Sequence, residues 1–219
     1  MAQLFQPRAD AIFRFVLWCI VLGCFVALVT AESLSHSEYL TGRNMIQAQP
    51  TEFSHFHHVA GLGLDCRYCH TQVEKSATAG MPPSHTCMTC HSQIWTNARM
   101  LAPVRESYAQ NVPLRWTRVG RLPGYVYFNH AVHVKNGIGC SSCHGDVAKM
   151  QMTSQPHAFS MAFCLSCHQN PQKNLRPQDE IYDMKWHPPA DQGKRGKALL
   201  AQYHIDTSGR LMDCSTCHR

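Results

Sequence analysis

Apolar positions are distributed unevenly along this chain. From Phe15 to Val29 no residue carries a charge and all but Gly23 are apolar, and Ala11-Ile12-Phe13-Arg14 extends the run on its N-terminal side. Taken from Ala11 to Thr30, the segment is long enough to cross a bilayer as one helix, and Arg14 can snorkel to the headgroups. Arg8 and Arg14 precede the run and no Lys or Arg follows until Arg43. That bias places the N-terminus in the cytoplasm and the remainder outside. A cleaved signal peptide competes with this reading, because Val29-Thr30-Ala31 resembles a small-residue cleavage site. The expectation is an uncleaved single-pass anchor in the cytoplasmic (inner) membrane over residues 1–31, followed by an exported, periplasmic domain over residues 32–219.

Beyond the run, long periodic segments are absent. Gly61, Gly63, Gly80, Pro82-Pro83, Pro123-Gly124, Gly137, Gly139, Pro188-Pro189, Gly193 and Gly196 break the chain at short intervals. The pattern predicts a mainly α fold with much irregular chain and little or no sheet. Short helices are expected over Ile94–Met100 and Lys194–Tyr203, and a surface loop over Pro188–Gly193.

Only 44% of residues are hydrophobic, and a block of these lies in the N-terminal run. The exported part is therefore poor material for a conventional core, and something other than side chains must fill its interior. The 12 cysteines show what it is. Ten form Cys66-Arg67-Tyr68-Cys69-His70, Cys87-Met88-Thr89-Cys90-His91, Cys140-Ser141-Ser142-Cys143-His144, Cys164-Leu165-Ser166-Cys167-His168 and Cys214-Ser215-Thr216-Cys217-His218. Cys-x-x-Cys-His is the attachment motif of c-type haem. The two thiols add to the porphyrin vinyl groups as thioethers, and the adjacent His reaches under the ring as proximal iron ligand. Five covalently bound haem c groups are expected, with His70, His91, His144, His168 and His218 proximal. Cys19 and Cys24 read as apolar helix residues.

Zinc is the main rival. Cys66, Cys69, Cys87 and Cys90 fit a four-cysteine zinc spacing, as do Cys140, Cys143, Cys164 and Cys167. A zinc ribbon needs no His after its second Cys, yet all five motifs have one, and Cys214/Cys217 lack a partner pair. A thioredoxin-like motif would not recur five times without a βαβ pattern. The formal charge of +6 does not point to nucleic acid, because five haems add roughly ten propionate charges and bring the loaded protein near neutrality or below.

Distal ligands come from a second pattern. Phe53-Ser54-His55-Phe56-His57-His58 precedes Cys66, and Phe128-Asn129-His130-Ala131-Val132-His133 precedes Cys140. Both read Phe-x-His-x-x-His. They belong to an internal repeat offset by 74 to 77 residues, in which Val73-x-Lys75 recurs as Val147-x-Lys149. A two-haem module thus appears near residues 50–115 and 125–190, and a fifth haem closes the chain. Histidines at i and i+3 share a helical face and can serve two neighbouring haems, which makes His55, His58, His130 and His133 the candidate distal ligands. The fifth distal ligand is open among Met150, Met152, Met161, Met81, His157, His187, His85 and His204. A Met from Met150, Met152 or Met161 is favoured. His57 reads as a bystander.

The Phe-x-His-x-x-His arrangement resembles small multihaem cytochromes of the c3 and c7 type. That resemblance implies that the first His of each pair caps the haem bound just downstream (His55 the first, His130 the third), while His58 and His133 cap two others. Trp116-Thr117-Arg118-Val119-Gly120-Arg121-Leu122-Pro123-Gly124-Tyr125-Val126-Tyr127-Phe128-Asn129-His130, with His133 and the ending Asp213-Cys214-Ser215-Thr216-Cys217-His218-Arg219, resembles the pentahaem cytochrome subunit of alternative complex III, a quinol-oxidising membrane complex. Related quinone reductase complexes of sulfate reducers use a similar cytochrome with an extra haem. The resemblance implies an electron-transfer subunit rather than an enzyme by itself. It also implies partners that include an iron–sulfur/molybdopterin-like subunit, polytopic quinol-binding subunits and a monohaem cytochrome. A stand-alone anchored quinol dehydrogenase feeding a periplasmic reductase is the alternative. A nitrite-reductase-type enzyme fits less well, since all five motifs end in His rather than the Lys that marks an open iron position in that class.

Overall fold

The computed structural model describes residues 7–218, and its contacts divide the chain into two units, residues 1–43 and 44–219. In the first unit α1 runs unbroken from Pro7 to Ser35. Its described length of about 40 Å exceeds the roughly 30 Å of a bilayer interior. Its large apolar side chains, from Ile12 to Leu34, are exposed. It is one helix long and apolar enough to cross a membrane, as an anchor or a signal segment. Asp10 and Arg14 pair across one turn at 2.8 Å. The short α2, Glu38–Thr41, follows, with the Ser37 hydroxyl accepting from the Leu40 amide at its start.

The second unit is built from short helices: α3 Cys66–Cys69, α4 Ser84–His91, α5 Ala102–Gln110, α6 His130–Lys135, α7 Ser141–His144, α8 Met161–Gln169, α9 Gln192–Gln202 and α10 Cys214–Cys217. A π-helical stretch spans Phe56–Gly61. The described chain is mainly helical and has no strand; Val126–His218 and Ile138–Leu175 form isolated bridges. The expected helix over Lys194–Tyr203 is α9. The expected helix over Ile94–Met100 does not form. Trp95 there takes a left-handed conformation at φ 55°, which stops a right-handed helix. Only a 3-10 turn at Arg99–Leu101 precedes α5, whose start is set by Pro103 in its first turn.

The conventional core is small. Among the described residues the buried apolar side chains are Val73, Val104, Val134, Leu175, Ile181 and Leu199. Val73, Val134 and Ile181 form one cluster, with Ala79, Cys140 and Tyr182 packed against it. The largest buried side chain is a cation, Arg176, 1% exposed. α9 seats on the Pro171–Lys173 turn through Gln192, whose amide donates to the Gln172 and Leu175 carbonyls at 2.9 and 2.8 Å. A Cβ on Gly196 would overlap the Gln172 carbonyl. Gly196→Ala is therefore expected to cost about 1–3 kcal/mol through overpacking, read as a lowered midpoint in thermal denaturation of the cofactor-loaded chain.

Candidate haem sites

Each Cys-x-x-Cys-His motif sits on a turn of helix, so that its two thiols lie on one face and the His closes the turn. Asp65 caps α3, its carboxylate accepting from the Arg67 amide at 2.8 Å. Ser160 caps α8 through the Phe163 amide. Cys140 lies just before α7, and Gly145, at φ 63°, ends that helix in a conformation that favours glycine. Sites are numbered below by the order of their motifs.

The structure brings together four pairs of imidazoles. His55 and His70 have ring centres 6.5 Å apart, His58 and His91 6.2 Å, His130 and His144 6.2 Å, and His133 and His168 6.2 Å. Two imidazoles on opposite sides of one metal, each bonded at about 2 Å, place their ring centres about 6 Å apart. The residues present therefore fit an iron held between each pair. The rings of sites 1 and 3 are nearly parallel, at 10° and 5°, whereas those of site 2 are crossed at 66°.

Hydrogen bonds fix which ring nitrogen faces the gap. The Nδ1 atoms of His70, His91, His168, His58, His130 and His133 lie 2.8–3.2 Å from the carbonyls of Gly80, Ile94, Leu211, Ser54, Ala77 and Asn129. A carbonyl only accepts, so Nδ1 carries the proton and Nε2 keeps a free lone pair for a metal. Nδ1 of His55 meets the Thr153 hydroxyl at 2.9 Å. Burial pushes His55 down to about 4, helped by the charges of His70, His58 and His144. Burial does the same to His144, also to about 4, with His130 next in effect, and it lowers His133. All three are thus held neutral, the form that ligates iron. Burial raises the Cys140 thiol to about 11 and the Cys143 thiol to about 12.

Each duplicated pair is organised by its phenylalanine. Phe53 stacks on His58 at 4.4 Å and meets His55 edge-on at 4.9 Å. Phe128 stacks on His133 at 4.5 Å and meets His130 edge-on at 4.7 Å. Geometry is thus preserved between the repeats although the first pair opens a π-helical stretch and the second opens α6.

Site 5 is built differently. The described ring beside His218 is that of Tyr125, at 5.8 Å, and the Tyr127 amide donates to the Cys217 carbonyl at 2.8 Å. Met150 and Met152 lie in the stretch that backs onto the first module, where the Met150 carbonyl accepts from the Phe56 amide. Met161 opens α8, exposed, one turn before Cys164. His157 stacks on Phe163, His85 lies beside Tyr108, and His57 stands exposed beside Trp95. Among the described residues no three His, Cys, Asp or Glu side chains converge as a zinc site requires.

Two groups here carried no signal of their role in the sequence. Thr153 orients His55 from a segment almost a hundred residues away. Arg176 lies under the third motif, donating to the Ser141 and Ser142 hydroxyls at 2.9 and 3.1 Å and to the Asp183 and Glu180 carbonyls at 3.1 and 3.3 Å.

Residues 132–219 match the family model described as cytochrome c3. A stretch of 100 residues is 34% identical to the menaquinone reductase multihaem cytochrome c subunit of Nitratidesulfovibrio vulgaris (strain Hildenborough), covering 44% of this chain and 45% of that protein. The matched region thus spans less than half of the relative's length. Residues 132–219 are thus cytochrome c3-like, and that family implies covalently bound c-type haem.

Proposed function

We propose that this chain is the pentahaem electron-transfer subunit of a membrane quinol-oxidising complex of the alternative complex III type. The observation that carries the reading is the set of four opposed imidazole pairs, each joining a motif histidine to a histidine of the repeated Phe-x-His-x-x-His segments. With two histidines of the chain to hold each iron of sites 1 to 4, no position there would be left for a substrate, which favours electron transfer over chemistry at a ligand. Bound haem c supplies reversible one-electron exchange at iron, with a potential set by axial ligands and surroundings.

The chain's own residues have distinct tasks in this reading. Cys66, Cys69, Cys87, Cys90, Cys140, Cys143, Cys164, Cys167, Cys214 and Cys217 tether five porphyrins. His55/His70, His58/His91, His130/His144 and His133/His168 hold the irons of sites 1 to 4, and His218 holds that of site 5. The second ligand of site 5 is assigned to one of Met150, Met152 and Met161. A Met ligand would give site 5 a higher potential than a bis-His site. The α1 segment anchors the domain on the periplasmic side by the charge bias of its ends. The proposed partners are an iron–sulfur/molybdopterin-like subunit, polytopic quinol-binding subunits and a monohaem cytochrome. The relative's place in a menaquinone reductase supports a quinone-linked assembly.

Pyridine haemochrome quantitation of the purified chain is expected to give five haems, and its electron paramagnetic resonance spectrum four low-spin bis-His signals. Colourless, zinc-containing protein or a dominant high-spin signal would refute the reading. Purification in mild detergent is expected to retain polytopic subunits; quinol oxidation by the isolated chain would instead make it a stand-alone dehydrogenase.

A further inference from the structure

Within each module two sites are neighbours: His55 and His58 share Phe53, and His130 and His133 share Phe128. The motifs of sites 1 and 2 also touch, the Tyr68 hydroxyl meeting the Thr89 hydroxyl at 2.8 Å. What joins the modules is a reciprocal exchange of support. The loop after the site 1 motif receives the distal helix of site 3: the His130 and Ala131 amides donate to the Ala77 and Ser76 carbonyls at 3.2 and 3.1 Å, and His130 Nδ1 donates to Ala77. The stretch after the site 3 motif receives the distal segment of site 1. There the Phe56 amide donates to the Met150 carbonyl at 3.0 Å, the Ser54 hydroxyl donates to Gln151 at 2.9 Å, and Thr153 meets His55. Each first-of-module site thus completes the other, as two copies related by an approximate two-fold axis would.

Neighbouring contacts agree. The Cys140 amide donates to the Ile181 carbonyl at 3.2 Å, and the next residue, Tyr182, donates to Glu74 at 2.7 Å beneath the Arg67 guanidinium of the first motif. Site 5 joins beyond site 4, where His168 Nδ1 donates to the Leu211 carbonyl just ahead of the last motif. At the two extremities the motif cysteines Cys90 and Cys214 are exposed, whereas all six of sites 1, 3 and 4 are half-buried.

From this we infer that the sites form one line in the order second, first, third, fourth, fifth, with the modules meeting head to head at sites 1 and 3 and with sites 2 and 5 as the two termini open to partners. The inference rests on the proposed function for what occupies the sites, but the order follows from the chain's own contacts.

Iron positions in an electron-microscopy map of the loaded full chain test it directly. The site 1 iron is expected between those of sites 2 and 3, and a site 2 iron nearer to site 3 than site 1 is would overturn the order. In solution, His55→Met and His58→Met each raise one site's potential, so that this site is reduced to diamagnetic low-spin ferrous iron ahead of the remaining bis-His sites, with site 5 reduced alike in both variants. Reduction in His55→Met is expected to slow the spin relaxation of the site 3 signal, and reduction in His58→Met to leave it unchanged. The opposite pattern would overturn the inference. A haem count other than five would sink the pentahaem reading, yet the line of the sites present would still be measured.

Discussion

A chain carrying Cys140→Ala and Cys143→Ala is expected to fail to accumulate as a folded cytochrome, whereas Cys214→Ala with Cys217→Ala is expected to yield a stable four-haem protein. The contrast follows from where each motif sits. Cys140 packs against the Val73, Val134 and Ile181 cluster, which joins residues of both modules, and its amide holds the Ile181 carbonyl. The site 3 gap between His130 and His144 is flanked by the two segments through which the modules support each other. Among the described residues so few apolar side chains are buried elsewhere that little remains to order the domain once the central porphyrin is lost. Site 5 lies at an exposed extremity: Cys214 is exposed, and the segment touches the rest through Leu211, Tyr125 and the Val126 bridge. Haem-stained gels, pyridine haemochrome and far-ultraviolet circular dichroism separate the outcomes. A folded central variant with four haems would show that the interior is built from something other than the porphyrins.

The parts of this arrangement that were legible in the sequence are those set by local spacing. A helical turn brings the thiols of Cys-x-x-Cys to one face, so the motif residues stand out from spacing alone. Phe-x-His-x-x-His is equally local, and its duplication marked His55, His58, His130 and His133 together. The partners of His58 and His133 could not be read the same way. His58 faces His91 and His133 faces His168 because a later helix of the same module folds back onto the pair, a tertiary fact with no spacing rule. The reciprocal docking of Phe56 on Met150 and of His130 on Ala77 was hidden for the same reason: it depends on backbone carbonyls, which every residue has. Trp95 misled the reading because apolar residues in Ile94–Met100 suggested a helix, whereas the indole lies between His57 and His91 and takes its backbone out of helical geometry. The membrane-length helix, by contrast, needs only length and apolar composition.

Arg176→Leu is expected to destabilise the loaded chain by about 3 kcal/mol, since four acceptors in a buried setting lose charged donors. For a domain of this size that corresponds to a fall in thermal midpoint of roughly 6–12 °C. The guanidinium binds Ser141 and Ser142, the two inner residues of the third motif, and also the Glu180 and Asp183 carbonyls, while stacking 4.1 Å over Trp186. Burial presses its own pKa downward, so the cation is held at a desolvation cost that these contacts offset. Besides bracing the motif, a positive charge in so dry a place opposes the added charge of ferric iron nearby. Its removal is therefore expected to shift the site 3 midpoint potential downward. Arg176→Lys separates the two effects. The ammonium keeps the charge but cannot reach four acceptors and stack at once, so the potential should stay close to that of the parent while part of the stability is lost. If the Leu variant melts early with its site 3 potential unmoved, Arg176 braces the motif without tuning it; if neither quantity changes, the buried guanidinium has no hold on the third site at all.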